Sequence, residues 1–244
     1  MIPSRRVFED HAGDYDRWFD ETGDVYAAQV RMLRAIIPDH GCGLEVGVGS
    51  GRFAVPFSIR CGIDPSHELT RMAKQRGIEV VPGEGEHLPY RAGSFDYVLM
   101  MTVICFLDDS AAVFHEVNRV LRPGGMLVVG FIEAGGEISL QYQSESIRGR
   151  FLRYAKFRNV NEVNTCFKDA GFTQVSIIEW TRGFCIMKGT ERVRWDGTVT
   201  LDRAPAPLPH WRPRSRDPGS EPPPFHRPAF STGSQPTRYP KGNN

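Results

Sequence analysis

Three glycines at alternate positions follow an apolar run in the segment LEVGVGSGRFAVPF, residues 44–57. Glycine has no Cβ, so such a loop can turn tightly and bring its backbone within contact distance of a ligand. Read from Gly47, the dinucleotide motif G-x-G-x-x-G fails at Arg52. Read from Gly49 through Gly51, its looser form fits, with alanine in the last place. The glycines alone therefore predict a cofactor loop and leave the cofactor open.

The elements around this loop alternate between short apolar runs and amphipathic stretches, which is typical of a mostly parallel sheet with helices on both faces. The predicted strands are CGLEVGV, CGID, IEVVPG, SFDYVLMM, GMLVVGFI and a final antiparallel pair, TQVSIIEW and GFCIMKG. Helices are predicted over PSHELTRMAKQRG, with Ser66 as N-cap and Gly77 as the stop, over DDSAAVFHEVNRVL before Pro123, and over VNEVNTCFKDAGF. Between the first two strands, Pro56 should break the helix after about a turn.

The two ends of the chain differ from this middle part. Residues 8–37 predict two helices whose aromatic side chains could form a lid over the loop. At the other end, 11 of the 18 prolines lie between Pro205 and Pro240, in a basic segment with too little apolar surface to offset its ordering entropy. We therefore expect an N-terminal helical lid over residues 1–38, a core over 39–190 and a Pro/Arg-rich, disordered tail over 191–244.

Composition narrows the classes of partner. The formal net charge is +1 with 24% charged residues, so neither nucleic acid nor an anionic membrane is expected as the main partner. No apolar run reaches the roughly 18–20 residues that a membrane span needs. The five cysteines include no C-x-x-C pair, so no metal site is predicted. The N-terminus shows no secretory signal, and we expect a cytoplasmic protein.

Four motifs occur in a fixed order along the chain: E-x-G-x-G-x-G beginning at Glu45, then GIDPS, GEGEHLPYRAGSFDYV and HEVNRVLRPGGMLVV. In this order the chain resembles the class I S-adenosylmethionine-dependent methyltransferases, in particular the small-molecule branch called methyltransferase type 11. The resemblance covers about Phe8 to Gly189. It implies a Rossmann-like α/β fold, mostly parallel with an antiparallel last strand and helices on both faces, and S-adenosylmethionine as cofactor.

The resemblance also implies which residues bind that cofactor. The glycine loop abuts the methionyl part, with Glu45 near its ammonium, and Asp64 accepts hydrogen bonds from the two ribose hydroxyls. Glu84 and Gly85 frame the adenine, with Glu86 as the alternative to Glu84. The expected cofactor-binding residues are Glu45, Gly47, Gly49, Gly51, Asp64, Glu84, Gly85, Met101 and Tyr15.

The expected reaction is methyl transfer to a small-molecule acceptor by in-line displacement. A base is needed only if the accepting atom loses a proton. Tyr15, His11 and Glu133 are candidates, none is selected, and the catalytic residues stay unknown. Two alternatives remain open: a non-catalytic S-adenosylmethionine-binding regulatory protein and an NAD-dependent oxidoreductase. Arg52 at the third glycine position speaks against the second.

The acceptor is expected to contact the long connection between the fifth strand and the next helix, residues 130–157. Arg148, Arg150, Arg153 and Lys156 lie there and could bind an anionic acceptor. The alternative is that they form the solvated face of a helix. The sequence leaves open whether nitrogen, oxygen, carbon or sulfur is methylated.

Overall fold

The computed structural model describes residues 3–142 and 149–192, which belong to one compact unit spanning Met1–Thr200. The predicted tail from residue 193 onward lies outside the described residues, and so does Arg148. The three-part division of the chain therefore stays a prediction.

All seven predicted strands are present and form one sheet. They are β1 (Gly43–Val46), β2 (Cys61–Asp64), β3 (Glu79–Pro82), β4 (Phe95–Met101), β5 (Leu121–Ile132), β6 (Thr173–Thr181) and β7 (Phe184–Thr190). The order across the sheet is β3-β2-β1-β4-β5-β7-β6. The first five strands pair in parallel, whereas β7 runs antiparallel to both β5 and β6. The predicted fold class is confirmed.

Seven helices accompany the sheet in the described residues: α1 (Pro3–Asp10), α2 (Ala12–Glu21), α3 (Gly23–Arg34), α4 (His67–Gln75), α5 (Ser110–Val120), α6 (Glu137–Gln141) and α7 (Val160–Asp169). Two helices were predicted over residues 8–37, but the N-terminal part forms three, beginning at Pro3. The backbone leaves the helical region at His11 and again at Thr22, which separates them.

Local sequence signals set several of these boundaries. The Ser66 hydroxyl accepts a hydrogen bond from the Leu69 N–H at 3.2 Å and caps α4, as predicted. Helix α5 ends at Val120, before Pro123, but β5 begins at once rather than at Gly125, because Leu121 pairs with Phe95.

The connection from β1 to β2 holds no α-helix. Its only helical piece is a three-residue 3-10 turn, Val55–Phe57, with Pro56 inside it. Ser58 then takes a left-handed conformation at φ 55° and turns the chain toward β2. This agrees with the predicted effect of the proline.

Alternate residues of β4 face two separate cores, as strand geometry requires. Val98 and Met100 pack with buried residues of α5 and α7, whereas Leu99 and Met101 pack with residues of α2, α3 and α4. The N-terminal helices therefore cover one face of the sheet. Among the described residues, no helix has the length and apolar character needed to cross a membrane.

Candidate functional site

A cavity of about 500 Å³ lies where β1 to β5 end and β7 begins, and α1, α2, α3 and α6 contribute to its wall. This volume falls within the ordinary range of small-molecule sites. The carboxyl ends of parallel strands are the usual ligand edge of such a sheet. Seven of the nine predicted site residues line it: Tyr15, Gly47, Gly49, Asp64, Glu84, Gly85 and Met101. Glu45 and Gly51 are not among the lining residues.

The glycine loop contains positions where a side chain would be strained. Gly47 has a φ of +74°, and a Cβ there would lie 2.4 Å from Val103 Cγ2. Gly51 has a φ of +88°, and its Cβ would lie 2.3 Å from Ile78 Cδ1. Gly51 therefore serves close packing behind the loop, and the cavity is left to Gly47 and Gly49.

Asp64 ends β2 with its carboxylate fixed by two backbone groups. The Gly49 N–H donates to Oδ2 and the Ser66 N–H donates to Oδ1, both at 2.9 Å. Each oxygen keeps further accepting capacity toward the cavity. Burial raises the pKa of Asp64 to about 6. The side chain can therefore accept two more hydrogen bonds once it is ionised.

Glu45 lies in the interior of β1, with 1% of its surface exposed. Burial, and then the charge of Asp64, raise its pKa well above the ordinary value. Its Oε2 has no hydrogen-bond partner among the described residues. Because Glu45 stands outside the cavity lining, its expected place near an ammonium stays a prediction.

The loop after β3 brings Glu84, Gly85 and Glu86 to the cavity. Glu84 forms an ion pair with Arg5 of α1, and Arg5 also reaches Asp108 at 3.3 Å. Glu84 and its alternative Glu86 both line the wall, so the position of either side chain is compatible with the expected adenine contact.

Asp16 of α2 holds the N-terminal helices to the glycine loop, a role that the sequence did not reveal. It accepts hydrogen bonds from Ser50 Oγ at 2.6 Å, from Arg52 Nε at 2.8 Å and from Arg76 Nη2 at 2.8 Å. Burial alone would raise the pKa of Asp16, but these bonds hold it well below the ordinary value. Arg52, which breaks the dinucleotide motif, also binds Asp20 at 2.8 Å and so has a structural use of its own.

Tyr15 of α2 lies over the loop. A Cβ on Gly49 would meet its ring at 3.3 Å and its hydroxyl at 3.5 Å. Burial, and then the charges of Asp64 and Glu45, raise the pKa of this phenol, so it stays protonated and is a poor base. The other candidate bases, His11 and Glu133, are not among the lining residues.

The charged lining residues cluster at one side of the cavity. Arg5, Asp64, Glu84 and Glu86 are the charged members among the described lining residues, and they lie on α1, at the end of β2 and just after β3, which is an edge strand of the sheet. We call this side the carboxylate half. The other side, the apolar half, comprises Trp18, Phe19, Thr22, Val25, Gln29, Phe53, Met101, Ile132, Ile138, Gln141, Tyr142 and Phe184.

Three of the four cations that could bind an anionic acceptor, Arg150, Arg153 and Lys156, lie in the described residues but outside the cavity lining. Arg150 forms an ion pair with Asp14, and the Arg153 guanidinium lies 5.9 Å from the ring centre of Tyr154. Neither they nor Lys156 line the cavity. The described residues also hold no group of three or more His, Cys, Asp or Glu side chains arranged for a metal ion.

These features suit a cationic cofactor better than a dinucleotide. Three carboxylates against one guanidinium make the described lining acidic. A pyrophosphate is usually bound at the N-terminus of the helix that follows the glycine loop, and here only a 3-10 turn follows it. The arrangement therefore fits S-adenosylmethionine, whose charges are an ammonium, a sulfonium and one carboxylate.

Comparisons with known proteins agree with this geometry. The family model of a methyltransferase domain matches residues 44–129. An uncharacterised protein of Methanocaldococcus jannaschii is 37% identical over 169 residues, covering 69% of this chain and 82% of the relative. An uncharacterised protein of Mycobacterium tuberculosis is 37% identical over 179 residues, or 72% of this chain, which spans 63% of that relative's length.

A solved structure is similar over nearly its whole length. The Thermotoga maritima protein described as a "SAM-dependent methyltransferase, possible histamine N-methyltransferase" has a TM-score of 0.72 and 30% identity. The match covers 77% of this chain and 99% of that one.

Proposed function

This chain belongs to the class I S-adenosylmethionine-dependent methyltransferases, and we propose that it methylates a small molecule by in-line displacement within the cavity described above. Asp64 is the observation that carries the proposal. Its carboxylate is buried, held by two backbone N–H groups and still able to accept two hydrogen bonds from a ribose.

The carboxylate half is the proposed cofactor site. Gly47 and Gly49 would contact the methionyl part, Asp64 the ribose and Glu84 with Gly85 the adenine. Tyr15 contributes a protonated hydroxyl above Gly49, which suits it to donate a hydrogen bond to a carboxylate. Glu45 would act through the loop rather than by direct contact, because it lies outside the lining.

The bound cofactor supplies a methyl group that is already activated on a sulfonium. The protein therefore has to align the acceptor with that methyl group and keep water away. We expect the helices α1 and α2 to shield the cavity because contacts with the sheet side hold them in place. Asp16 ties α2 to Arg52 and Arg76, and Glu9 of α1 accepts a hydrogen bond from Ser66 Oγ at 2.7 Å.

Two observations support a small acceptor. The cavity of about 500 Å³ must contain both the cofactor and the acceptor, which leaves room for a compact molecule. The similar Thermotoga maritima protein is described as a "possible histamine N-methyltransferase", and histamine is a small molecule.

The predicted location of the protein is the cytoplasm.

Binding and turnover test the proposal in two steps. Calorimetry should show micromolar or tighter binding of S-adenosylhomocysteine and none of NAD⁺. Transfer of labelled methyl from S-adenosylmethionine should then be measured with a panel of nitrogen, oxygen, sulfur and carbon acceptors. Cofactor binding without transfer to any acceptor would favour a regulatory protein, and NAD⁺ binding alone would contradict the proposal.

A further inference from the structure

We infer that the methyl acceptor is a neutral, apolar small molecule that reacts through a lone pair already free at neutral pH, such as that of a weakly basic aromatic nitrogen or a thioether sulfur. The inference rests on the proposed function and deepens it. It follows from how charge is distributed around the cavity.

The apolar half has no charged side chain among its described residues. Its wall is formed by Ile132 at the end of β5, Ile138 of α6, Phe184 at the start of β7 and Val25 of α3. A charged acceptor placed against the buried Phe184 and its neighbours would lose part of its hydration without gaining a counter-charge, which is costly. A neutral acceptor loses little.

Two sets of charged groups close to this half in the chain are bound within themselves. Glu137 of α6 pairs with Arg182 at 2.6 Å, while Asp16 and Asp20 pair with Arg52, and Asp16 also with Arg76, all at 2.8 Å. Each set has as many carboxylates as guanidinium groups, lies outside the described lining and adds no net charge to the apolar half.

The polar groups that the described part of this half offers to an acceptor are neutral. The Thr22 hydroxyl donates to the Trp18 carbonyl oxygen at 2.7 Å, which leaves it to accept hydrogen bonds. Gln29 contributes an amide to the same wall. These groups suit a heteroatom or an N–H on an otherwise apolar body.

The reaction is consistent with a neutral acceptor. The lone pair of the acceptor atom forms the new bond to the methyl carbon, the carbon–sulfur bond breaks, and its electrons stay on sulfur. The positive charge passes from sulfur to the methylated atom, so the total charge in the cavity does not change. A phenol or a carboxylic acid would instead have to react as an anion, and the described residues of the apolar half offer neither a base nor a cation for it.

Two fluorescent dyes of similar shape test the charge preference directly. In protein saturated with S-adenosylhomocysteine, neutral N-phenyl-1-naphthylamine is expected to bind at least about tenfold more tightly than anionic 8-anilino-1-naphthalenesulfonate. Equal or tighter binding of the anion would overturn the inference.

Charge variants locate the preference in the apolar half. Ile138→Arg should reduce the preference for the neutral dye at least about tenfold, and Ile132→Arg is the second variant if the first does not fold. Leu140→Arg is the control, because Leu140 lies on the same helix, is 53% exposed and is outside the lining. An equal change in Ile138→Arg and Leu140→Arg would contradict the assignment.

The reacting atom is tested with acceptors built on one ring system. Methyl transfer to quinoline should exceed transfer to 2-naphthol and to 2-naphthoate. Equal or greater transfer to either oxygen acceptor, or transfer to none of the three, would overturn this part. Calorimetric binding of S-adenosylhomocysteine is measured separately, so a failure of the proposed function is distinguished from a failure of the inferred acceptor class.

Discussion

The two halves of the cavity are built by different means. In the carboxylate half, the proposed ligand contacts come from backbone turns and strand ends: the Gly49 N–H donates to Asp64, and Ser66 both caps α4 and donates its N–H to the same carboxylate. In the apolar half, side chains converge from elements far apart in the chain, such as Val25, Ile138 and Phe184. We therefore expect the first half to be specific for one ligand by local geometry and the second to select by charge and shape.

The largest effect that separates the halves is expected from Asp64→Ala. The loss of charged hydrogen bonds should weaken S-adenosylhomocysteine binding by about 1–3 kcal/mol, or roughly 5- to 150-fold, and leave the neutral dye unaffected. Calorimetry measures the affinity for S-adenosylhomocysteine, and fluorescence measures the affinity for the neutral dye. Asp39→Ala, at an exposed site before β1, is the control. Unchanged cofactor affinity would remove Asp64 from the site.

Lowering the pH below 6 should weaken cofactor binding in the carboxylate half, whereas protonation of Asp64 should not destabilise the fold. The pKa of Asp64 is about 6 against an ordinary 3.8, so cofactor affinity should fall up to about tenfold per pH unit below 6 if the ionised form binds. The folded protein binds this proton more tightly than the unfolded chain does. Asp64 therefore adds stability as the pH falls from 6 toward 4 and loses it as the pH rises.

Calorimetry between pH 5 and 8, with melting curves at each pH, checks this prediction. Asp64→Asn should bind weakly at every pH and lose the slope. A wild-type affinity that is flat from pH 8 to 5 would show that protonation of Asp64 does not control binding.

The sequence predicted most of the carboxylate half because its signals are local. Ser66 as a cap, Pro56 as a breaker and Asp64 at the end of an apolar run each depend on neighbours within a few residues. The sequence did not predict that Glu45 lies outside the lining or that Arg52 binds Asp16, because both depend on packing between distant segments.

The apolar half was the least predictable for the same reason. Helix α6 is only five residues long and has no side-chain cap, so no sequence signal marked it. The basic residues of the same connection left two interpretations open, an anionic acceptor or a solvated helix face. Arg150 pairs with Asp14, and Arg153 lies over the ring of Tyr154, both outside the described lining.

Weakening the attachment of the N-terminal helices should moderately reduce ligand affinity in both halves of the cavity. Asp16→Asn removes the charge that Arg52 and Arg76 share, and we expect a loss of about 1–3 kcal/mol in the free energy of unfolding. Both the neutral dye and S-adenosylhomocysteine should bind several-fold more weakly. Melting curves and the same binding assays measure this. Asp10→Asn, whose carboxylate pairs only with exposed Arg6 among the described residues, is the matched control.

The pH dependence of wild-type stability gives a second check on the attachment of α2 through Asp16. The pKa of Asp16 is held below its ordinary value, so its stabilising effect is present above pH 4 and is lost only as the pH falls further. A loss of the attachment between pH 6 and 5 would contradict the assigned role.

The smallest effect is expected from Arg150→Ala. Its ion pair with Asp14 is exposed, so stability should change by less than about 1 kcal/mol. Methyl transfer to a neutral acceptor should stay within about twofold of the wild type. A large loss of turnover with unchanged cofactor binding would show that Arg150 contacts the acceptor.

A crystal structure of the protein with S-adenosylhomocysteine tests the division of the cavity most directly. We predict ribose hydroxyls within hydrogen-bond distance of both Asp64 oxygens, the adenine beside Gly85, and the sulfur near Met101, facing Ile132 and Phe184. A ligand whose ribose lies away from Asp64, or whose adenine occupies the apolar half, would contradict this division.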